Sequence, residues 1–274
     1  MSYFSELKVR HPDNKFIFYP AVLILLLGFI VEYYFGIAIT FLVLIPISLI
    51  IILATILHSY RAIIEEIRFQ DQRTQAMFNI YDLINPRLPL PFLSGWAAFP
   101  ELISTILQHV KSSNPKYIVE LGSGSSTIIT SYLLEEIGKG KILSFDHDEK
   151  YGKITENRLE EHGLSEFAYV ISSPLKTIKI DGNSYNWYDI DVNLLKDKID
   201  ILVVDGPPEK TQKHARYPAL PYFYDNLSES AIIILDDAGR TEEKEIVAMW
   251  LKKYPEFTHE YIWTEKGISV LKRG

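Results

Sequence analysis

The chain opens with two apolar stretches, Phe16 to Val31 and Gly36 to Leu57, separated by the run Glu32-Tyr33-Tyr34-Phe35. Neither carries the polar face expected of a helix at the edge of a soluble core. A bilayer's hydrocarbon layer takes about 20 apolar residues per helix, so the second stretch is long enough and the first reaches that length with its aromatic flank. The pattern predicts a two-helix transmembrane hairpin over 16–57. Lys8, Arg10 and Lys15 precede it, Arg61, Arg68 and Arg73 follow it, and the connecting turn holds only the acid Glu32. Basic flanks stay on the cytoplasmic side, which predicts a multi-pass protein of the cell (inner) membrane with both termini cytoplasmic and 1–15 as a short cytoplasmic segment. Tyr33 and Tyr34 then sit at the far interface. The apolar region is doubled and too long for a cleaved signal peptide.

Beyond the hairpin the periodicity changes. His58 to Asn85 sets Ile63, Ile64, Ile67, Phe78 and Leu83 among charges at helical spacing, predicting one amphipathic helix, either continuous or broken near Gln72. Pro86, Pro89 and Pro91 stop it, so 58–99 reads as that helix plus a proline-rich linker ending at Trp96 and Pro100. From 100 to 274 helices and strands alternate. Helices are expected at 100–111, 126–137, 149–162, 215–227 and 241–253. Strands are expected at 117–121, 141–146, 167–171, 199–204 and 231–235, and a closing pair at 257–263 and 267–272 turns at Glu265-Lys266-Gly267. Gly182 and the polar-aromatic run 183–191 break the alternation. Continuous apolar strands such as Ile199 to Val204 belong to a parallel sheet covered on both faces. The fold class is therefore α/β, a doubly wound seven-stranded sheet with an antiparallel last strand, preceded by the helical hairpin.

Charge sharpens this division. The formal net charge is −7, yet residues 1–60 hold three basic residues (Lys8, Arg10, Lys15) and three acids (Glu6, Asp13, Glu32), so the excess belongs to 61–274. An acidic domain repels phosphate backbones and argues against a nucleic-acid partner. With no cysteine in the chain, a disulfide scaffold, a thiolate metal site and a cysteine nucleophile are all excluded.

The candidate chemistry starts in Tyr117 to Leu134, YIVELGSGSSTIITSYLL, where a buried strand meets Gly122-Ser123-Gly124 and a Ser/Thr cluster able to cap the next helix. Such a turn lets the backbone bend sharply and approach a ligand beside unpaired helix N–H groups. A dinucleotide fingerprint wants a third glycine at position 127, where this chain has Thr127, so a nicotinamide-dependent oxidoreductase is disfavoured. Glu120 adds an acid that an ammonium group, or a water bound to it, can use.

Ligands of doubly wound sheets bind beyond the carboxyl ends of the strands, and here those ends carry Glu120, Asp146, Asp205 and the pair Asp236-Asp237. Asp146 lies 22 residues past Gly124, the spacing of a carboxylate that binds ribose hydroxyls. Helix capping is the alternative, for which Asp148 is better placed. Ser172 and Ser173 lie where an adenine amino group is recognised, or simply form a turn. Asp205, Asp236 and Asp237 can converge on Mg2+ or another divalent cation, since three close carboxylates repel unless a proton or cation sits among them. Otherwise Asp237 caps a helix and Asp205 orders its loop. Lys210 and His214 follow Asp205 as candidate bases. Trp96, Trp187 and Tyr188 can form an aromatic wall for an acceptor, or plug the core.

The pattern E-x-G-x-G-S resembles the first motif of class I S-adenosylmethionine-dependent methyltransferases, which have a Rossmann-like sheet. RLPLPFLSGWAAFPEL, ILSFDHD, IDILVVDGPPEKTQKHARYPALPYF and AIIILDDAGRTEEKEIVAMW look like a bacterial branch with an Asp-Gly-Pro-Pro loop, similar to cation-dependent O-methyltransferases. The resemblance covers 86–274. It implies that Glu120, Gly122, Ser123, Gly124 and Ser125 surround the methionine part of S-adenosylmethionine, that Asp146 and His147 border the ribose, and that Asp205, Asp236 and Asp237 hold the ion. It also implies methyl transfer to an acceptor oxygen, and the membrane hairpin suggests that the acceptor is a hydroxyl of a glycan, lipid-linked or other small molecule near the membrane, because tethering raises the local concentration of such partners. One departure is Pro208, where those enzymes often place a lysine base. Arg216, Tyr217 and Arg240 are then candidates for an acidic or glycan substrate, the alternative being that the arginine pair only neutralises the acid cluster it borders. The competing expectation is a non-catalytic membrane-bound sensor or scaffold that binds the cofactor or a nucleotide.

Overall fold

The computed structural model describes residues 15–91, 93, 98–192, 195 and 197–274, so the expected segment 1–14 and Trp96 lie outside the described residues. The chain divides into 1–71 and 72–274. In the first unit, α1 (Lys15–Phe35) is followed after Gly36 by α2 (Ile37–Leu83), whose last turns belong to the second unit. Gly28 of α1 is buried, and a Cβ there would come within 3.0 Å of Leu44 Cδ1 of α2, so the two helices lie side by side at that point. Small residues allow such close helix approach. Leu25, Leu26, Phe29, Phe41, Leu42 and Leu49 are exposed. Helix α2 is long and apolar enough to cross a membrane, and Val22–Tyr34 is a shorter apolar helix. Of the two options at Gln72 the helix is the continuous one: α2 runs unbroken to Leu83, since no proline or glycine interrupts residues 58–83.

The second unit is built on a seven-stranded sheet. Its strands are β1 (Tyr117–Leu121), β2 (Lys141–Asp146), β3 (Ala168–Ser172), β6 (Ile199–Val204), β7 (Leu227–Leu235), β8 (Phe257–Ile262) and β9 (Ile268–Arg273), in the order β3-β2-β1-β6-β7-β9-β8. β9 is antiparallel to both its neighbours, as expected of the last strand. The strand side chains alternate between two cores. Val119, Leu121, Leu202, Val204, Ile233 and Leu235 pack on one face, and Ile118, Ile201, Val203, Ile232 and Ile234 on the other. That two-sided burial is why these strands read as continuous apolar runs. Helices α3 (Pro100–Ser113), α4 (Ser125–Ile137) and α5 (Glu149–Glu161) and the C-terminal α7 (Thr241–Lys253) connect or flank the strands.

Two expectations change. The break at 183–191 is instead part of a two-stranded hairpin, β4 (Leu175–Ile180) with β5 (Asn183–Tyr188). Its turn residue Asp181 accepts hydrogen bonds from Tyr217 Oη at 2.6 Å and Lys253 Nζ at 2.6 and 2.7 Å, while Tyr185 stacks on Tyr217. The helix expected over 215–227 shrinks to α6 (Ala219–Phe223), because Pro218 bars a helix running in from 215 and a 3-10 turn follows at Tyr224–Asn226.

Candidate active site

The register of the sheet brings the expected residues to one level. Leu121 is opposite Phe145 and Val204, and Val204 is opposite Leu235, so the residues that follow these strands lie side by side along the carboxyl edge. Backbone bonds continue the ladder past the strand ends: Gly122 N to Phe145 O (2.8 Å), Asp205 N to Leu121 O (3.0 Å), Asp236 N to Val204 O (3.1 Å) and Ser173 N to Asp146 O (2.7 Å). Gly122 turns at φ +102°, a left-handed conformation that L side chains rarely adopt.

Glu120 is buried and its carboxylate is occupied. Ser126 Oγ donates to Oε1 at 2.6 Å, and Thr127 Oγ1 and Ser144 Oγ donate to Oε2 at 2.5 and 2.9 Å. Burial pushes this carboxyl above the usual range, and the three hydroxyls pull it back. Glu120 therefore braces the turn from beneath. Thr127, which broke the dinucleotide pattern, also accepts Gly124 N at 3.0 Å and so closes the start of α4.

Asp146 is equally engaged. Its Oδ2 accepts Ser123 N at 3.0 Å and Ser123 Oγ at 2.6 Å, and its Oδ1 accepts Asp148 N at 3.0 Å. Asp148, as its position predicts, caps α5 by accepting Lys150 N and Tyr151 N. Around Asp146, three buried polar atoms lack a hydrogen-bond partner among the described residues: His147 Nδ1, Ser173 Oγ and Tyr188 Oη. Ser172 is exposed, Ser125 is buried, and Ser123 and Gly124 are half-buried.

Along the other half of the edge, Asp205, Asp236 and Asp237 each offer a carboxylate oxygen within 4.8 Å of the others. The group among them is Arg216, only 3% exposed. Its Nη2 donates to Asp237 Oδ2 at 2.9 Å and Asp205 O at 2.8 Å, its Nη1 donates to Asp236 O at 2.9 Å, and its Nη2 lies 3.6 Å from Asp205 Oδ1. Arg240 Nη1 reaches the same Asp237 oxygen at 2.9 Å. Burial, then Asp236, pushes the Asp205 carboxyl well above the ordinary range, and burial, then Asp237, pushes Asp236 up. Asp237 adopts φ +58°, uncommon for a residue with a Cβ. It caps no helix: α7 starts after Arg240 without a side-chain cap.

Several candidates are corrected. His214 does not face the carboxylates. Its Nε2 bonds Glu245 Oε2 at 2.5 Å and its backbone N donates to Glu242 Oε2 at 2.8 Å, both acids of α7. Lys210 is exposed on the 3-10 turn Glu209–Thr211. Trp187 and Tyr188 form no exposed wall: both are fully buried in the core. Tyr188 Oη packs so tightly on Gly206 that a Cβ there would collide with it. Arg216 and Arg240 pair with the acids, and the Tyr217 hydroxyl is held by Asp181. A buried Tyr188 hydroxyl at the site was not legible, because aromatic residues in a polar run read equally as wall or plug.

A family model described as a methyltransferase domain matches residues 119–238. Among solved structures, the chain is similar to the methyltransferase PaMTH1 of Podospora anserina, bound to S-adenosylhomocysteine, at 15% identity and TM-score 0.51, covering 74% of this chain and 88% of that one. It is also similar to an O-methyltransferase from Bacillus cereus, likewise bound to S-adenosylhomocysteine, at 14% identity and TM-score 0.49, covering 74% and 91%. Comparison with curated proteins gave no match. Residues 119–238 are a methyltransferase domain, and the chain is a methyltransferase.

Proposed function

We propose that the chain transfers the methyl group of S-adenosylmethionine to an acceptor oxygen, and that the hairpin over 16–57 anchors it in the cell (inner) membrane with both termini cytoplasmic. The observation that carries the cofactor reading is the set of buried atoms without a hydrogen bond around Asp146, namely Ser173 Oγ, Tyr188 Oη and His147 Nδ1, the last 3.7 Å from Asp146 Oδ1, next to the Gly122 turn that Asp146 holds through Ser123. Buried polar atoms are seldom left unpaired, and a nucleoside supplies the missing donors and acceptors. The S-adenosylhomocysteine held by the Podospora anserina neighbour agrees with this.

Within this reading, Gly122 to Ser125 and the start of α4 receive the methionine part, Asp146 and His147 the ribose, and Ser173 the adenine. When bound, the cofactor supplies an electrophilic methyl group on a sulfonium. Asp205 or Asp236 would take the proton that the acceptor hydroxyl gives up as its oxygen bonds the methyl carbon and that carbon's bond to sulfur breaks, releasing S-adenosylhomocysteine; their raised proton affinity suits that task. The three carboxylates also fit a divalent cation, which would lower the hydroxyl's pKa and aim it. Arg216 and Arg240 already bond one oxygen of Asp237, so Asp205 and Asp236 carry most of that fit. The membrane part is supported by the apolar length of α2 and the charge asymmetry of its flanks.

Calorimetry on the full chain in detergent tests the cofactor. S-adenosylmethionine and S-adenosylhomocysteine are expected to bind, and Asp146→Asn to weaken both by about tenfold or more through the lost charged hydrogen bonds. The reading is wrong if neither ligand binds the wild-type chain. Activity that survives a chelator would assign neutralisation of the carboxylates to Arg216 and Arg240.

A further inference from the structure

A second concentration of unpaired polar atoms lies away from the Gly122 turn. Ten buried side-chain atoms lack a hydrogen-bond partner among the described residues, and four of them meet at one place: Glu101 Oε1 and Oε2, Gln72 Oε1 and Arg73 Nε. Gln72 and Glu101 line an open pocket of about 160 Å3 whose walls also include Gln75, Asn79, Thr105 and Trp263, while Arg73 stands beside Glu101 outside that lining. Glu101 lines the pocket, is 7% exposed, and makes no hydrogen bond through either oxygen among the described residues. A glutamate in the first turn of α3 gains from the helix N-terminus, but that accounts for its charge and leaves both oxygens without a hydrogen bond. Gln72 Nε2 donates to Trp263 O at 3.2 Å, which turns its Oε1 away from that bond.

The unsatisfied atoms are three acceptors and one donor, so the missing ligand must chiefly donate hydrogen bonds. A cation is the poorer candidate, since the Arg73 guanidinium already stands 3.9 Å from Glu101 Oε1. Neutral hydroxyls fit better. The Trp263 side chain, 49% exposed, offers the flat apolar surface on which the C–H face of a sugar ring packs. The loop that gives the pocket its Thr264 also meets the reaction edge: Gly267 N donates to Thr264 Oγ1 at 3.0 Å, and Ala238 N and Gly239 N, just after Asp236 and Asp237, donate to Gly267 O at 2.9 Å and Lys266 O at 2.7 Å.

We infer that this pocket holds a saccharide portion of the methyl acceptor, with Glu101 and Gln72 accepting its hydroxyls and Trp263 stacking on its ring. The inference rests on the methyltransferase reading for its purpose, though not for the binding itself. Glu101 is in this role a binding residue, and the methyl group is delivered to a neighbouring hydroxyl at the Asp205–Asp236 edge.

The test titrates the full chain in detergent with the methyl glycosides of glucose, galactose, mannose and N-acetylglucosamine, following Trp263 fluorescence against a Trp263→Phe control. Choline is the cationic probe, and S-adenosylhomocysteine affinity is measured in parallel. At least one neutral glycoside should saturate, and Glu101→Gln should weaken it about tenfold while S-adenosylhomocysteine binding stays within about twofold. Gln75→Ala, which leaves Glu101 in place, should weaken it less and guards against misfolding of the first variant. No saturable glycoside, a preference for choline, or an unchanged Glu101→Gln overturns the inference. Loss of S-adenosylhomocysteine binding in the wild-type chain with glycoside binding intact would instead overturn the cofactor reading and leave this pocket standing.

Discussion

The two halves of the carboxyl edge hold their acids in opposite ways. At β1 and β2, Glu120 and Asp146 are partnered by hydroxyls and backbone N–H groups. At β6 and β7, three acids crowd together and two guanidinium groups compensate them. A carboxylate held by neutral donors is oriented without its charge being cancelled, which suits a fixed cradle. A carboxylate cluster held by arginine keeps charge in reserve, with protons or a cation able to enter and leave. The first half therefore reads as positioning, and the second as the place where charge moves.

The largest break in this comparison is expected at Arg216. Its guanidinium bonds Asp205 O, Asp236 O and Asp237 Oδ2. Arg216→Ala strands a buried acid cluster and is expected to cost about 3–5 kcal/mol in denaturant unfolding. Glu120→Ala, on the other half, leaves Ser126, Thr127 and Ser144 without their acceptor and is expected to cost about 1–3 kcal/mol. If Glu120→Ala proved the more damaging, neutral partners would be the stronger constraint and the contrast would reverse.

A subtler effect is expected from pH. Asp205 and Asp236 have raised proton affinity in the fold, so their contribution is most favourable at acid pH and is lost as pH rises past the ordinary aspartate range. Asp236→Asn should remove that slope, so its stability relative to wild type should improve as pH rises. Asp181 behaves oppositely: its bonds to Lys253 and Tyr217 hold its carboxyl low, so its contribution is present above the ordinary aspartate range and fades as pH falls through its lowered value. Unfolding of wild type, Asp236→Asn and Asp181→Asn across pH 3–8 separates the two; parallel curves would sink the assignment. Asp181 is well exposed, so its effect is the smallest of these.

Much of the fold was legible because its signals are local. Apolar runs marked six strands of the main sheet, the Glu265-Lys266-Gly267 turn marked β8, the glycine turn marked the β1–α4 junction, and Asp148 was legible as a cap by position alone. The hairpin β4–β5 was not. Its strands mix polar and aromatic residues, and it is held by Asp181 to Lys253, 72 residues away. Within the site, the level of Asp146, Asp205 and Asp236 followed from strand ends, while the partners of those acids did not. His214 was a reasonable base by loop position, yet Glu242 and Glu245 on α7 claim it.

The sequence alone determined the order of helices and strands, the apolar character of 16–57 and the acids at the strand ends, because periodicity and strand termination are properties of neighbouring residues. Tertiary structure decided that Arg216 enters the acid cluster, that Glu120 braces a turn, and that Glu101 lines a pocket with neither oxygen hydrogen-bonded among the described residues. Which donor meets which acceptor depends on segments brought together only when the sheet closes, and burial then sets how much each unmet bond costs.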